Sequence, residues 1–171
     1  MNKEKLTYIE ESGITFEQMG MTRMAGRLFG YLIVSDMDAV SFNDIKEALD
    51  ASKGSISGTT KQLITMGLIE PITLPGDRKT YFRISKAQVG TILKERIYLF
   101  NKLSSLLDKG NSLKENKDET AEWLKEMSAF YSWIVGSFDE ILNRWEAEKL
   151  EIIKRKEKKD GNNKKQKKYT V

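Results

Sequence analysis

The stretch SFNDIKEALDASKGSISGTTKQLITMGLIEPITLPGDRKTYFRI, residues 41–84, decides the fold. It opens on Ser41-Phe42-Asn43-Asp44, a capping-box pattern with Asp in place of the usual Glu. A short helix follows over about 43–49, with Ile45, Ala48 and Leu49 facing inward. Asp50-Ala51 makes a tight turn, Ser52 caps a second helix over 53–66, and Gly67 ends it. Leu68–Thr73 reads as an extended run, Leu74–Lys79 as a polar turn, and Thr80–Ile84 as a second strand rich in aromatic and β-branched residues. Helix, turn, helix and β-hairpin in that order predict a winged helix-turn-helix.

Outward from this stretch the chain reads as helix. Only two prolines occur, Pro71 and Pro75, both inside the predicted hairpin. Residues 4–19 form an amphipathic helix with Tyr8, Ile9, Phe16 and Met19 at helical spacing, ended by Gly20, and residues 22–35 bury Met24, Leu28, Tyr31 and Leu32. Residues 86–108 bury Val89, Leu93, Ile97, Phe100, Leu103 and Leu107, and Gly110-Asn111-Ser112 breaks the pattern. From Asp118 onward Leu124, Met127, Tyr131, Ile134, Phe138, Ile141 and Trp145 recur at alternating steps of four and three, a heptad seam. A helix continuous from there to 153 would be about 54 Å long at ~1.5 Å per residue, and would need a second surface, most simply a copy of itself. The expected architecture is therefore mainly α. It has an N-terminal dimer-interface helix over 1–20, a three-helix core with a β-hairpin wing over 21–85, a helical dimerisation region over 86–153, and a basic, disordered tail over 154–171.

Composition removes most enzyme chemistry. The 171 residues contain no cysteine and no histidine, so thiol redox chemistry, thiolate or imidazole metal sites and histidine general-base catalysis lack their residues. No nucleophile–base pair, phosphate-cradling loop or acidic metal cluster is evident; no cofactor, metal or catalytic residue is expected. No apolar run approaches the ~20 residues of a membrane span, and the first residues lack the apolar run of a signal peptide, so a cytoplasmic address is expected. The net charge of +4 belongs to the tail: Lys154–Lys168 holds nine Lys/Arg against two acids, a net of +7, leaving −3 for the rest. A case for nucleic acid must rest on a local patch.

That patch lies on the helix 53–66. At 100° per residue, Ile56, Thr59, Thr60 and Leu63 share one face, while Gly54, Gly58, Lys61 and Thr65 lie opposite with Ser57 beside them. Each helical glycine costs ~1 kcal/mol against alanine, so two on the outer face imply a use for smoothness there. A helix pressed into the major groove would bring its backbone and short hydroxyls to base edges and phosphates. The candidate DNA contacts are Ser52, Lys53, Gly54, Ser55, Ser57, Gly58, Lys61, Gln62 and Thr65. The helix carries no arginine, so the Arg–guanine bidentate contact is missing from it and A·T-rich sequence and DNA shape are expected to carry specificity. Asp77, Arg78 and Lys79 form the candidate wing, with Arg78 or Lys79 in the minor groove or on phosphate and Asp77 orienting the arginine.

Gly20-Met21-Thr22-Arg23-Met24-Ala25-Gly26-Arg27-Leu28-Phe29-Gly30-Tyr31-Leu32 is similar to the helix preceding the reading head in GbsR-type regulators, a branch of the MarR-like transcriptional regulators. Ala51-Ser52-Lys53-Gly54-Ser55-Ile56-Ser57 resembles the start of their recognition helix, and Leu74–Phe82 resembles their wing. The resemblance implies a homodimer joined by its N- and C-terminal helices, two reading heads on a pseudo-palindromic operator, and control of transcription, usually repression. It also implies a small-molecule effector in some members, choline among them. A choline-type effector needs an aromatic cage, for which Trp123, Phe130 and Trp133, off the heptad seam, are the candidates. Arg23 and Arg27, one helical turn apart, are expected to pair with acids of the C-terminal helices or to touch phosphate. The alternative to a regulator that reads double-stranded DNA is a winged-helix module that binds another protein.

Overall fold

The computed structural model describes residues 1–86, 89–116 and 118–167, apart from the side chains of 89–92, 95–96 and 160–167. In chain order the elements are α1 (Lys3–Gln18), α2 (Arg23–Val34), β1 (Val40–Ser41), α3 (Phe42–Ala48), α4 (Lys53–Thr65), β2 (Ile69–Thr73), β3 (Thr80–Ile84), α5 (Val89–Ser112) and α6 (Glu119–Lys167). The chain divides into two units, residues 1–88 and 89–171.

The first unit is a winged helix-turn-helix. Its sheet has the order β1-β3-β2, antiparallel throughout, with Pro71 opposite Phe82 and Ile72 opposite Tyr81. The two-residue β1, which the sequence pattern does not reveal, joins the sheet through Val40 opposite Phe82 and Ser41 opposite Tyr81. Ile9, Leu28, Ile45, Leu49, Ile56, Leu63, Ile69 and Phe82 make one core. Ile9 places α1 inside that core, so the N-terminal helix belongs to the reading domain and is no separate appendage.

Three of the helices end the same way. After α1, Met21 N–H donates to the Phe16 carbonyl and Gly20 N–H to Glu17; after α4, Leu68 donates to Leu63 and Gly67 to Ile64; after α3, Ala51 donates to Lys46 and Asp50 to Glu47. Each is a Schellman closure, with the left-handed residue at Gly20 (φ 78°), Gly67 (φ 70°) and, against residue preference, Asp50 (φ 48°).

The α1–α2 crossing explains Gly13, Gly26 and Gly30. A Cβ on Gly26 would lie 2.2 Å from the Ser12 carbonyl oxygen, and one on Gly30 would lie 2.6 Å from Ser12 Oγ. The two helices pack backbone on backbone, and Phe16 lies on Phe29 with ring centroids 5.3 Å apart. Arg23 and Arg27 both reach across this crossing to Glu10, at 3.3 and 2.8 Å. They pair with an acid of the N-terminal helix, one turn apart on α2 because a single carboxylate serves both.

The second unit is an antiparallel helical hairpin. The predicted break at Gly110–Ser112 moves past Ser112, and α6 runs 49 residues, about 74 Å at ~1.5 Å per residue. The helix continues through Lys167, where the sequence reading has a disordered tail from 154; lysine, glutamate and glutamine are strong helix formers, and Arg155 pairs with Glu151 one turn back. Residues 168–171 lie outside the described residues. Phe100 stacks on Tyr131 at 5.2 Å, Ser104 Oγ lies 2.9 Å from both Ser128 Oγ and Ser132 Oγ, and Lys94 pairs with Asp139. This pairing sets Val89 opposite about residue 144, so α6 overhangs α5 for roughly 35 Å.

Candidate nucleic-acid interface

Helix α4 is fixed at both ends by its own sequence. Ser52 Oγ accepts the Ser55 N–H at 3.2 Å, and the Gly67 closure satisfies the last carbonyls. Ile56, Thr59, Thr60 and Leu63 are buried, as the helical projection requires, and Thr60 Oγ1 donates to the Ser57 carbonyl. The opposite face is open. Ser52, Lys53, Gly54, Gly58, Lys61 and Thr65 are exposed, and Ser55, Ser57 and Gln62 are half-buried. A Cβ built on Gly54 or Gly58 meets nothing within 4 Å. Packing within the domain therefore requires neither glycine, in contrast to Gly26 and Gly30.

The wing is built by local chemistry. Leu74-Pro75-Gly76-Asp77 is a type II turn: Pro75 supplies the first central φ, Gly76 the positive one (φ 80°), and Asp77 N–H donates to the Leu74 carbonyl at 3.1 Å. Asp77 does not orient Arg78, as the sequence suggests. Its Oδ1 accepts the Lys79 N–H at 2.9 Å and its Oδ2 accepts the Tyr81 hydroxyl at 2.7 Å. The Lys79 amide, and after it the Tyr81 hydroxyl, hold the Asp77 carboxyl below its ordinary value; the bond to Asp77 in turn raises the Tyr81 phenol. Tyr81 is the residue that sequence reasoning misses; its four-residue spacing from an Asx turn is the only signal it gives. At the hairpin base Arg83 binds Glu70 at 2.6 Å and Asp38 at 3.6 Å, and Lys86 binds Asp38 at 3.3 Å.

Helix and wing border one groove of about 460 Å³. Ser57, Lys61 and Ile64 of α4 line one side, Pro71, Lys79 and Thr80 of the hairpin another, with Phe42 and Asn43 at the end. The electrostatics single out this region. Residues 1–88 carry eleven Lys/Arg and eleven Asp/Glu. Among the described residues Lys5, Arg23, Arg27, Arg83 and Lys86 are held in ion pairs. Of the six cations outside any ion pair, Lys53, Lys61, Arg78 and Lys79 belong to α4 and the wing. A neutral domain thus presents a positive face by pairing its cations elsewhere.

The seam of α6 is divided between two faces. Leu124, Tyr131, Phe138 and Trp145 fall in a half-buried stripe with Ala121, Ser128, Val135 and Leu142, at steps of three and four along the α5 side. Met127, Ile134 and Ile141 belong to a neighbouring stripe with Trp123 and Phe130. Met127 and Ile134 of that second stripe are half-buried, and its outer edge is open: Trp123 is 54%, Phe130 46% and Ile141 60% exposed. Trp133 is 67% exposed and stacks on Phe130 at 6.2 Å. Leu93 is exposed on α5, contrary to the sequence reading, while its neighbour Lys94 is the residue that reaches Asp139 of α6; the Val89 side chain lies outside the described residues. No helix among the described residues is long and apolar enough to cross a membrane.

No protein-family model matches the chain. It is 33% identical over 141 residues to the HTH-type transcriptional regulator MmpR5 of Mycobacterium tuberculosis, a match covering 82% of this chain and 86% of that protein. A crystal structure of a transcriptional regulator shares 32% identity and a TM-score of 0.75, over 84% of this chain and 99% of the other. A third of the residues are identical over more than four-fifths of each protein, and the winged helix-turn-helix is complete from α2 to β3: the chain belongs to the HTH-type transcriptional regulators.

Proposed function

We propose that the chain is a homodimeric repressor of the MarR-like, GbsR-type branch. In this reading α4 lies in the major groove of a pseudo-palindromic operator and the wing reaches the adjacent minor groove or its phosphates. The observation that carries it is the shared groove: Ser57 and Lys61, beside the two open glycines of α4, and Lys79 and Thr80 of the wing line one concavity, and the four cations of helix and wing are free of ion pairs. Ser52, Ser55, Ser57, Gln62 and Thr65 then face base edges and phosphates, Lys53 and Lys61 face phosphates, and Arg78 and Lys79 do so from the wing. Without arginine on α4, A·T-rich sequence and groove shape carry the preference.

The dimer rests on the open stripe of the hairpin. Trp123, Phe130, Trp133 and Ile141 of α6 with Leu99, Leu106 and Leu113 of α5 leave on the order of 600–700 Å² of apolar side chain in water, close to the ~800 Å² per partner of a stable complex. A small-molecule effector held by Trp123, Phe130 and Trp133 would compete with that dimer contact, so a quaternary ammonium compound should change tryptophan fluorescence, dimerisation and duplex affinity together.

Selection of duplexes from a random pool tests the reading. The expected product is a two-fold symmetric, A·T-rich site with half-sites about one helical turn, ~34–36 Å, apart. Recovery of no duplex, or an affinity indifferent to salt, would favour a protein-binding module.

A further inference from the structure

The wing carries an acid where a DNA-binding surface can least accommodate one. Asp77 sits one residue from Arg78 and two from Lys79, yet pairs with neither side chain. Both its oxygens are occupied, one by the Lys79 backbone N–H at 2.9 Å and one by the Tyr81 hydroxyl at 2.7 Å. Tyr81 lies on β3, the central strand, between Ser41 of β1 and Ile72 of β2. It therefore ties the tip of the hairpin to the part of the sheet held on both edges. The type II turn at Leu74–Asp77 fixes the other side of the tip.

We infer that Tyr81 and Asp77 are positioning residues for DNA binding: their hydroxyl–carboxylate strap presets the wing and keeps Asp77 from capturing Arg78, leaving both wing cations for phosphate or the minor groove. The inference rests on the wing reading proposed above. Without the Tyr81 hydroxyl, the freed Asp77 oxygen takes the nearest donor, the Arg78 guanidinium or the Lys79 ammonium. That removes a cation from the DNA side and loosens the tip at once. The carboxylate has two duties that substitution can separate. As a hydrogen-bonding group it holds the strap; as a charge it opposes the phosphates.

The test uses the full chain and an A·T-rich duplex, with affinity measured by anisotropy across a salt series. Asp77→Asn keeps its oxygen for the Lys79 N–H, holds the strap by donating its amide N–H to the Tyr81 hydroxyl oxygen, and drops the charge, and is expected to bind about twofold to threefold tighter than the parent. Asp77→Ala drops both, and is expected to bind about three- to tenfold weaker than Asp77→Asn. Tyr81→Phe is expected to lose a similar factor against the parent, with a salt slope shallower by about 0.9, one phosphate contact. A purely structural role would lower the melting temperature and leave that slope unchanged. Equal affinity of Asp77→Ala and Asp77→Asn, or of Tyr81→Phe and the parent, overturns the inference. If the parent binds no duplex, the DNA reading itself fails. The strap then stands or falls on the free protein, where Asp77→Ala must lower the titration midpoint of the Tyr81 ring followed by NMR; an unmoved midpoint overturns it.

Discussion

Replacing Gly54 and Gly58 together by alanine should move stability and DNA affinity in opposite directions. Gly58 is mid-helix and should return the full difference in helix propensity, ~1 kcal/mol; Gly54, in the first turn, returns less. Beyond the adjacent residues and the helix's own backbone, no atom stands within 4 Å of either new methyl, so no steric term offsets the gain, and the total is about 1.5 kcal/mol. For a unit the size of residues 1–88 this corresponds to a rise of roughly 6–12 °C in melting temperature, read by circular dichroism and checked by the urea midpoint. On DNA the same methyls stand where α4 meets the groove, and should hold the helix off far enough to weaken binding tenfold or more, about 1.4 kcal/mol. Anisotropy titration against a selected duplex measures this. A stabilised variant that binds within twofold of the parent would refute the smooth-face argument. A destabilised variant would refute the open space around both glycines.

The same substitution at Gly26 should behave in the opposite sense: the methyl meets a backbone oxygen at 2.2 Å, and Gly26→Ala should lose about 3 kcal/mol or more by urea denaturation. Ser52→Ala removes the α4 cap and should lower stability by ~1 kcal/mol in the same assay. The Asp77 carboxyl is held below its ordinary value, first by the Lys79 amide, so the order it lends the wing is present at neutral pH and is lost as the pH falls through that lowered value; the Lys79 amide resonance should titrate with a midpoint below that of an ordinary aspartate. Deleting residues 154–171 should weaken binding to selected and random duplexes by one common factor and flatten the salt dependence, leaving the preferred sequence unchanged; a changed preference would show that the segment reads bases.

Short-range chemistry made much of this fold legible. Ser41, Ser52, Gly20 and Gly67 are caps whose meaning lies within four residues, and the helices between them begin and end within a residue or two of expectation. The buried face of α4 followed from its helical period alone. The features that escaped depend on partners far along the chain. Glu10 collects Arg23 and Arg27 only because α1 crosses α2 at the glycines, which no local pattern announces. Val40–Ser41 is too short to show a period of two, and owes its strand character to Phe82 and Tyr81. The α6 seam shows why periodicity alone is ambiguous: a heptad chosen through Leu124 and Met127 straddles two adjacent stripes, and only the presence of α5 separates them.

The glycine crossing of α1 and α2 has a mechanical consequence. Side chains between helices can repack and so absorb a push; backbone set against backbone compresses little. Leu6, Tyr8 and Ile14 stand outward on α1, while α2 bears on α4 and β3. A push on the outer side of α1 therefore meets little give before it reaches α2, the helix packed on α4. Gly13, Gly26 and Gly30 make that crossing a stiff joint between the N-terminal helix and the helix that bears on α4.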